Sequence, residues 1–212
     1  MSDPLGPRVR RLFATPLIEL DLPDSAALNA ALVQVIAARR ATHGGISRSN
    51  VGGWHSDTEM AQWGGEAGRR VALEALKACG AYTHDMGMKG AEPRFQMGVE
   101  MWANVLPAGA VNQHHAHGGA LWSAVYYVDD GGDRDSGSLV LLDPRFPMNR
   151  MYSPDLVFAE NGEMEETTVR IAPTPGRMVI FPSWLMHGVR PHAGPRERIS
   201  IAINVVAIRA RK

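Results

Sequence analysis

Residues 198–208 read "RISIAINVVAI". In an extended chain successive side chains point to opposite faces. Ile199, Ile201, Ile203 and Val205 then share one face, and Arg198, Ser200, Ala202 and Asn204 share the other. The first face is uniformly apolar and asks for a packed core. The second carries a guanidinium, a hydroxyl and an amide, an unusual set for a strand interior unless that face lines a polar pocket.

Working outward, similar short apolar runs recur, separated by Gly, Pro and Asp: "FQMGVEMWANVL" (95–106), "ALWSAVYYV" (120–128), "GSLVLLD" (137–143), "EETTVRIAP" (165–173) and "RMVIFP" (177–182). Strands of this length and spacing suggest a β-sandwich or barrel. The earlier half of the chain has a different texture. Residues 10–22 alternate like an edge strand broken by Pro16. Asp24 or Ser25 is placed to cap a helix with Leu28, Ala31, Leu32, Val35 and Ile36 inward, and Val71, Leu73, Ala75, Leu76 and Cys79 mark the inner face of a second helical segment within 59–86. The Gly- and Ser-rich stretch 42–53 reads as a loop, as does Trp54-His55, which suits a lid or a partner surface. "DDGGDRDSG" (129–137) reads as a hairpin connection, since its acids lack the spacing of a calcium loop. The expectation is an α+β single domain over 1–212. Residues 1–93 would supply supporting helices packed on one sheet of a jelly roll spanning 94–208.

Composition narrows the function classes. Of 212 residues 45% are hydrophobic, and 22 basic residues face 22 acidic ones, so nothing favours nucleic acid or an anionic membrane as a partner. The single cysteine, Cys79, has no internal disulfide partner and reads as a buried apolar side chain. Neither a signal-peptide core nor a run of apolar residues long enough for a membrane span is visible, and a cytoplasmic location is expected.

Chemistry concentrates in "NQHHAHGG" (112–119). By alternation His115 and His117 point one way and His114 the other. A third histidine, His187 in "FPSWLMHGVRPHAG" (181–194), follows an apolar strand where it meets a loop. Two same-face histidines early in a jelly roll and one late can form a facial three-ligand site, and imidazoles suit Fe(II), Zn, Cu or Ni. Arg198 on the polar face of the last strand would anchor a dicarboxylate in bidentate fashion. Ser200 and Asn204 share that face. Trp102 and Asn104 lie on one face of an earlier strand, Tyr126 or Tyr127 is placed to meet a co-substrate, and Asn112 to orient a ligand.

The order His-x-His, a distant His, and Arg-x-Ser eleven positions later resembles the 2-oxoglutarate and Fe(II)-dependent oxygenases. The wording "HAHGGALWSAVYYV … GSLVLLDPR … PGRMVIFPSWLMHGVRP … RISIAINV" is similar to a bacterial branch of that superfamily, over roughly 95–208, and "GGWHS" (52–56) is similar to it as well. The resemblance implies a double-stranded β-helix, iron ligation by His115 and His187, and capture of the far carboxylate of 2-oxoglutarate by Arg198 with Ser200. The family's middle ligand is an acid, and here it is His117. Without that anion the metal keeps a higher net charge. The expected function is therefore an Fe(II)- and 2-oxoglutarate-dependent oxygenase with His115, His117 and His187 as ligands and Arg198, Ser200, Asn204 and Tyr127 at the co-substrate. Molecular oxygen and a small-molecule or peptide substrate complete the reaction, and a homodimer is left open. The alternatives are a three-histidine dioxygenase that needs no oxo acid, and a metal- or ligand-binding β-barrel without turnover.

Overall fold

A computed structural model of the chain describes residues 11–87, 93–151 and 153–209. Strand β1 (Ile18–Asp21) precedes helix α1 (Ser25–Thr42), two short strands β2 (Asn50–Val51) and β3 (Trp54–His55), and helices α2 (Met60–Trp63) and α3 (Gly65–Ala81). Eight strands then make the barrel: β4 (Phe95–Leu106), β5 (Val111–His115), β6 (Trp122–Asp129), β7 (Leu139–Leu142), β10 (Thr168–Ile171), β11 (Arg177–Pro182), β12 (His187–Val189) and β13 (Arg198–Arg209). Between β7 and β10 a small hairpin, β8 (Ala159–Glu160) and β9 (Glu163–Met164), stands on an irregular excursion.

The eight barrel strands pair first with last, and so inward: β4 with β13, β5 with β12, β6 with β11, β7 with β10, all antiparallel. This nesting is the double-stranded β-helix. It yields a six-stranded sheet in the order β1-β11-β6-β13-β4-β3 and a five-stranded sheet β10-β7-β12-β5-β2. Since β6 and β7 belong to different sheets, segment 129–137 joins one sheet to the other and is no hairpin; Asx turns from Asp129, Asp130 and Asp133 shape it.

The alternation in β13 is realised as written in the sequence. Ile201, Ile203 and Val205 pack with Leu28, Leu32, Ile36, Val71, Ala75 and Cys79 of α1 and α3 on the outer face of the six-stranded sheet. Complete burial of a side chain such as Leu32 contributes about 1.5–3 kcal/mol. Its other face meets the five-stranded sheet through a smaller apolar cluster with Tyr127, Leu139, Leu141, Val179 and Phe181. Arg198, Ser200 and Asn204 point into this interior.

Several local expectations are corrected. Leu73 is exposed, because the buried face of α3 runs through Val71, Ala72, Ala75 and Cys79 and position 73 lies about 200° from 71 at 3.6 residues per turn. Asp24 occupies the N-cap position of α1, but its left-handed backbone turns the carboxylate away and neither it nor Ser25 makes a side-chain cap bond there. Stretch 42–53 contains β2, paired with β5. Trp54-His55 is an edge strand on β4 with both side chains buried, and so forms neither lid nor partner surface. Among the described residues no helix is long and apolar enough to cross a membrane.

Candidate active site

His115 ends β5 and His187 begins β12, and the two are direct partners in the ladder between those strands. His117 lies two residues beyond His115, its backbone N–H donating to the Ser183 carbonyl at 2.9 Å and so tying the turn after β5 to the loop before β12. The ligand nitrogens of His115, His117 and His187 all fall within 4.8 Å of one another. His114 is outside this group, as strand alternation requires.

The hydrogen bonds around two of the three rings leave one nitrogen of each for a metal. Nδ1 of His115 donates to the Gln113 carbonyl at 2.7 Å, and Nδ1 of His187 to the Leu185 carbonyl at 2.8 Å. Each bond fixes the proton on Nδ1 and leaves an Nε2 lone pair. His117 has a different partner: its Nδ1 is 3.4 Å from the Asn204 side-chain amide, which is in turn 3.2 Å from the Ser123 hydroxyl. Burial pushes His187 down to about 3 and His117 to about 4, and the neighbouring imidazoles add to it. Both are neutral at physiological pH, the form that binds metal.

Deeper between the sheets sits Arg198, fully buried. Its Nη1 donates to the Ser200 hydroxyl at 3.0 Å and its Cζ lies 5.3 Å from the Tyr127 ring centroid. Among the described residues Nε and Nη2 have no partner, and neither have the Tyr127 hydroxyl and Asn104 Oδ1 nearby in the barrel. Burial lowers the Arg198 guanidinium from its ordinary value and raises the Tyr127 phenol to about 12. A buried, unpaired guanidinium costs several kcal/mol, so this one implies an anionic partner supplied from outside the chain. Two imidazoles with free Nε2 atoms, a third imidazole beside them and a buried arginine with two open donors fit a divalent metal and a dicarboxylate that chelates it.

A cleft of about 690 Å³ opens from the histidines between β4 and the loop 47–49. Trp102 is tilted against His117 at 5.6 Å between centroids and is stacked with His55 at 5.4 Å and 12°. Phe181 meets His187 edge-on at 4.8 Å.

Of the residues singled out in the sequence, His115, His117, His187 and Asn204 come together at the histidine cluster, while Arg198, Ser200 and Tyr127 form the deeper group. Tyr126 faces the helices and donates to Asn29 at 2.7 Å. Asn112 orients no ligand, because its amide binds Ser49 at 3.3 Å and pins the loop 47–49. Sequence reasoning missed His55, Arg48 and Glu100 as cleft residues. Glu100 was legible, since it shares the inward face with Trp102 and Asn104.

The model of the family described as "Putative 2OG-Fe(II) oxygenase" matches residues 100–204. Solved structures agree on the fold. A prolyl-4-hydroxylase from Pseudomonas putida aligns at 18% identity and TM-score 0.61, covering 95% of this chain and 96% of that one. A Trichoplax adhaerens prolyl hydroxylase, solved with a hypoxia inducible factor peptide fragment, aligns at 15% and TM-score 0.61 over 90% and 83%. HygX from Streptomyces hygroscopicus, with nickel, 2-oxoglutarate and hygromycin B bound, aligns at 13% and TM-score 0.61 over 91% and 83%. No curated protein matches the sequence. Over residues 100–204, within its double-stranded β-helix, the chain resembles the family described as Putative 2OG-Fe(II) oxygenase, and it is an enzyme of that kind.

Proposed function

We propose that His115, His117 and His187 hold Fe(II), and that Arg198, with Ser200 and Tyr127, receives the distal carboxylate of 2-oxoglutarate. The observation that carries this reading is the guanidinium of Arg198, wholly buried with Nε and Nη2 unpartnered, on the strand face that leads through Asn204 to His117. A carboxylate there satisfies donors that the protein itself leaves open, and bidentate pairing suits their fork. When bound, the iron and the oxo acid supply the oxidising power, with oxygen consumed, 2-oxoglutarate converted to succinate and carbon dioxide, and a C–H bond of the substrate oxidised.

The chain does the rest. The Gln113 and Leu185 carbonyls hold two imidazoles in the metal-binding tautomer, and Asn204 meets the third. The Ser200 hydroxyl and the Tyr127 ring fix the plane of the guanidinium. Trp102 and Phe181 wall the cluster with apolar surface, which strengthens electrostatic contacts inside. Solved relatives in fold hold a peptide fragment in one case and hygromycin B in another, in keeping with a small-molecule or peptide substrate here. A cytoplasmic setting completes the reading, with the oligomeric state, a homodimer among the options, left open.

One observation favours a second reading. His117 stands where an acid is usual, and a three-histidine centre also suits a dioxygenase that binds substrate without an oxo acid, with Arg198 holding the substrate's own carboxylate. Oxygen uptake by the Fe(II)-loaded protein with and without 2-oxoglutarate separates the two. Uptake that rises with the oxo acid and yields succinate supports the first; uptake indifferent to it supports the second. Metal retention with no turnover in either arm returns the protein to a binding barrel.

A further inference from the structure

Among the described residues that line the cleft outside the histidine cluster, two carry a permanent charge, one on β4 and one on the loop 47–49. Of the residues lining it, Glu100 is the one carboxylate and Arg48 the one guanidinium, and neither enters an ion pair among the described residues. Both are presented by fixed backbone. Glu100 is in register with Asn204 across the β4–β13 ladder, so it lies on the face of β4 that looks into the barrel mouth, beside the amide that reaches His117. Two residues further on the same face is Trp102. A carboxylate next to an indole is a site for a cation, since ion pairing and the ring quadrupole act together. Arg48 belongs to the loop 47–49, which is held to β5 by the Gln113 N–H on the Ser49 carbonyl at 2.8 Å and by Asn112 on the Ser49 hydroxyl. The Arg48 N–H is itself held by Asn50 Oδ1 at 2.8 Å.

Resting on the oxygenase reading above, we infer that the substrate oxidised at this site is an amino-acid-like zwitterion. Its protonated amine or guanidine is held by Glu100 and Trp102, its acid group by Arg48, with the carbon between them lying over the three histidines. A neutral or purely apolar substrate would leave both charged groups to water and gain nothing from them, whereas a zwitterion matches the field of the cleft at both ends.

The test uses the full chain loaded with Fe(II) and 2-oxoglutarate. The probes are the common L-amino acids, each also offered as its amide and as its N-acetyl derivative, and succinate formation is read. The expected result is that at least one free amino acid raises succinate several-fold over the probe-free rate and that both blocked forms of it fail. Glu100→Gln and Arg48→Gln are each expected to raise KM for that amino acid about tenfold with a smaller effect on kcat, a loss of binding rather than of chemistry. The inference is overturned if no amino acid stimulates succinate formation, if blocked forms work as well as free ones, or if neither substitution moves KM. Anaerobic titration of the wild-type Fe(II) protein with 2-oxoglutarate distinguishes this from failure of the oxygenase reading. Saturable binding there without amino-acid stimulation sinks only the zwitterion, and absence of binding sinks both.

Discussion

His115 and His187 face each other across the β5–β12 ladder with ring centroids 4.4 Å apart, and each gives its Nδ1 to the carbonyl two residues before it. The same local device thus presets two imidazoles on adjacent strands. Because the acceptors are backbone groups, no side-chain substitution removes them. His115→Ala or His187→Ala takes away a ligand outright, and each is expected to leave less than one equivalent of Fe(II) or Co(II) bound at micromolar metal, as read by metal analysis after desalting. Full occupancy in either variant would place the metal elsewhere.

His117 differs, because its partner is a side chain. Asn204→Ala frees the imidazole to rotate, and metal affinity is expected to fall about 10–100-fold. Asn204→Asp, whose oxygen accepts the Nδ1 proton, is expected to retain affinity and to shift the visible bands of the Co(II) protein. Equal affinities in wild type and Asn204→Ala, by competition with a chromophoric chelator, would remove Asn204 from the site.

Arg198 makes opposite predictions for stability and for binding. Arg198→Met removes a buried unpaired charge while keeping volume, so the metal-free, ligand-free protein is expected to melt at the wild-type temperature or above it. Binding of 2-oxoglutarate is expected to weaken roughly 30-fold or more, the usual loss when one side of a buried ion pair is truncated. Thermal melting with and without the oxo acid reads both: a ligand-dependent rise in the wild type that vanishes in the variant.

The depressed histidines set a pH dependence for the metal-free fold. In the unfolded chain His117 and His187 titrate near 6.5, and in the fold near about 4 and about 3. Below pH 6.5 the unfolded chain takes up protons that the fold refuses, so stability is lost as pH falls from 6.5 toward 3, and above 6.5 these groups have no effect. Melting temperature against pH is expected to fall less steeply over that interval in a His117→Gln, His187→Gln double variant. Parallel curves would contradict the assignment.

Much of this was legible in the sequence for one reason: period-two alternation survives wherever a strand is long. The twelve residues of β13 announce a greasy face and a polar face, and the structure buries them against helices and barrel respectively. His115 and His117 share a face by the same rule. The rule fails where elements are short or partners distant. Strand β3 is two residues long, too few to show a period, so His55 read as a loop residue although it is buried and stacked on Trp102. Leu73 looked inward by composition, and only the accumulated 100° steps of α3 turn it out. Asn112 sits next to the histidines in sequence but points to Ser49, while Asn204, 87 residues from His117, reaches it through the fold. The family's acid position, filled by His117, was visible from the start and marks where this site departs from the usual ligand set.

In the proposed site one three-histidine centre and one buried arginine together bind Fe(II) and 2-oxoglutarate. Anaerobic addition of 2-oxoglutarate to the Fe(II)-loaded protein, followed by visible absorption, tests it most directly. The account predicts a weak, saturable metal-to-ligand charge-transfer band that is present in the wild type, shifted in His117→Asp and absent in Arg198→Met at the same oxo acid concentration. A fully iron-loaded wild-type protein that develops no band at saturating 2-oxoglutarate would contradict it.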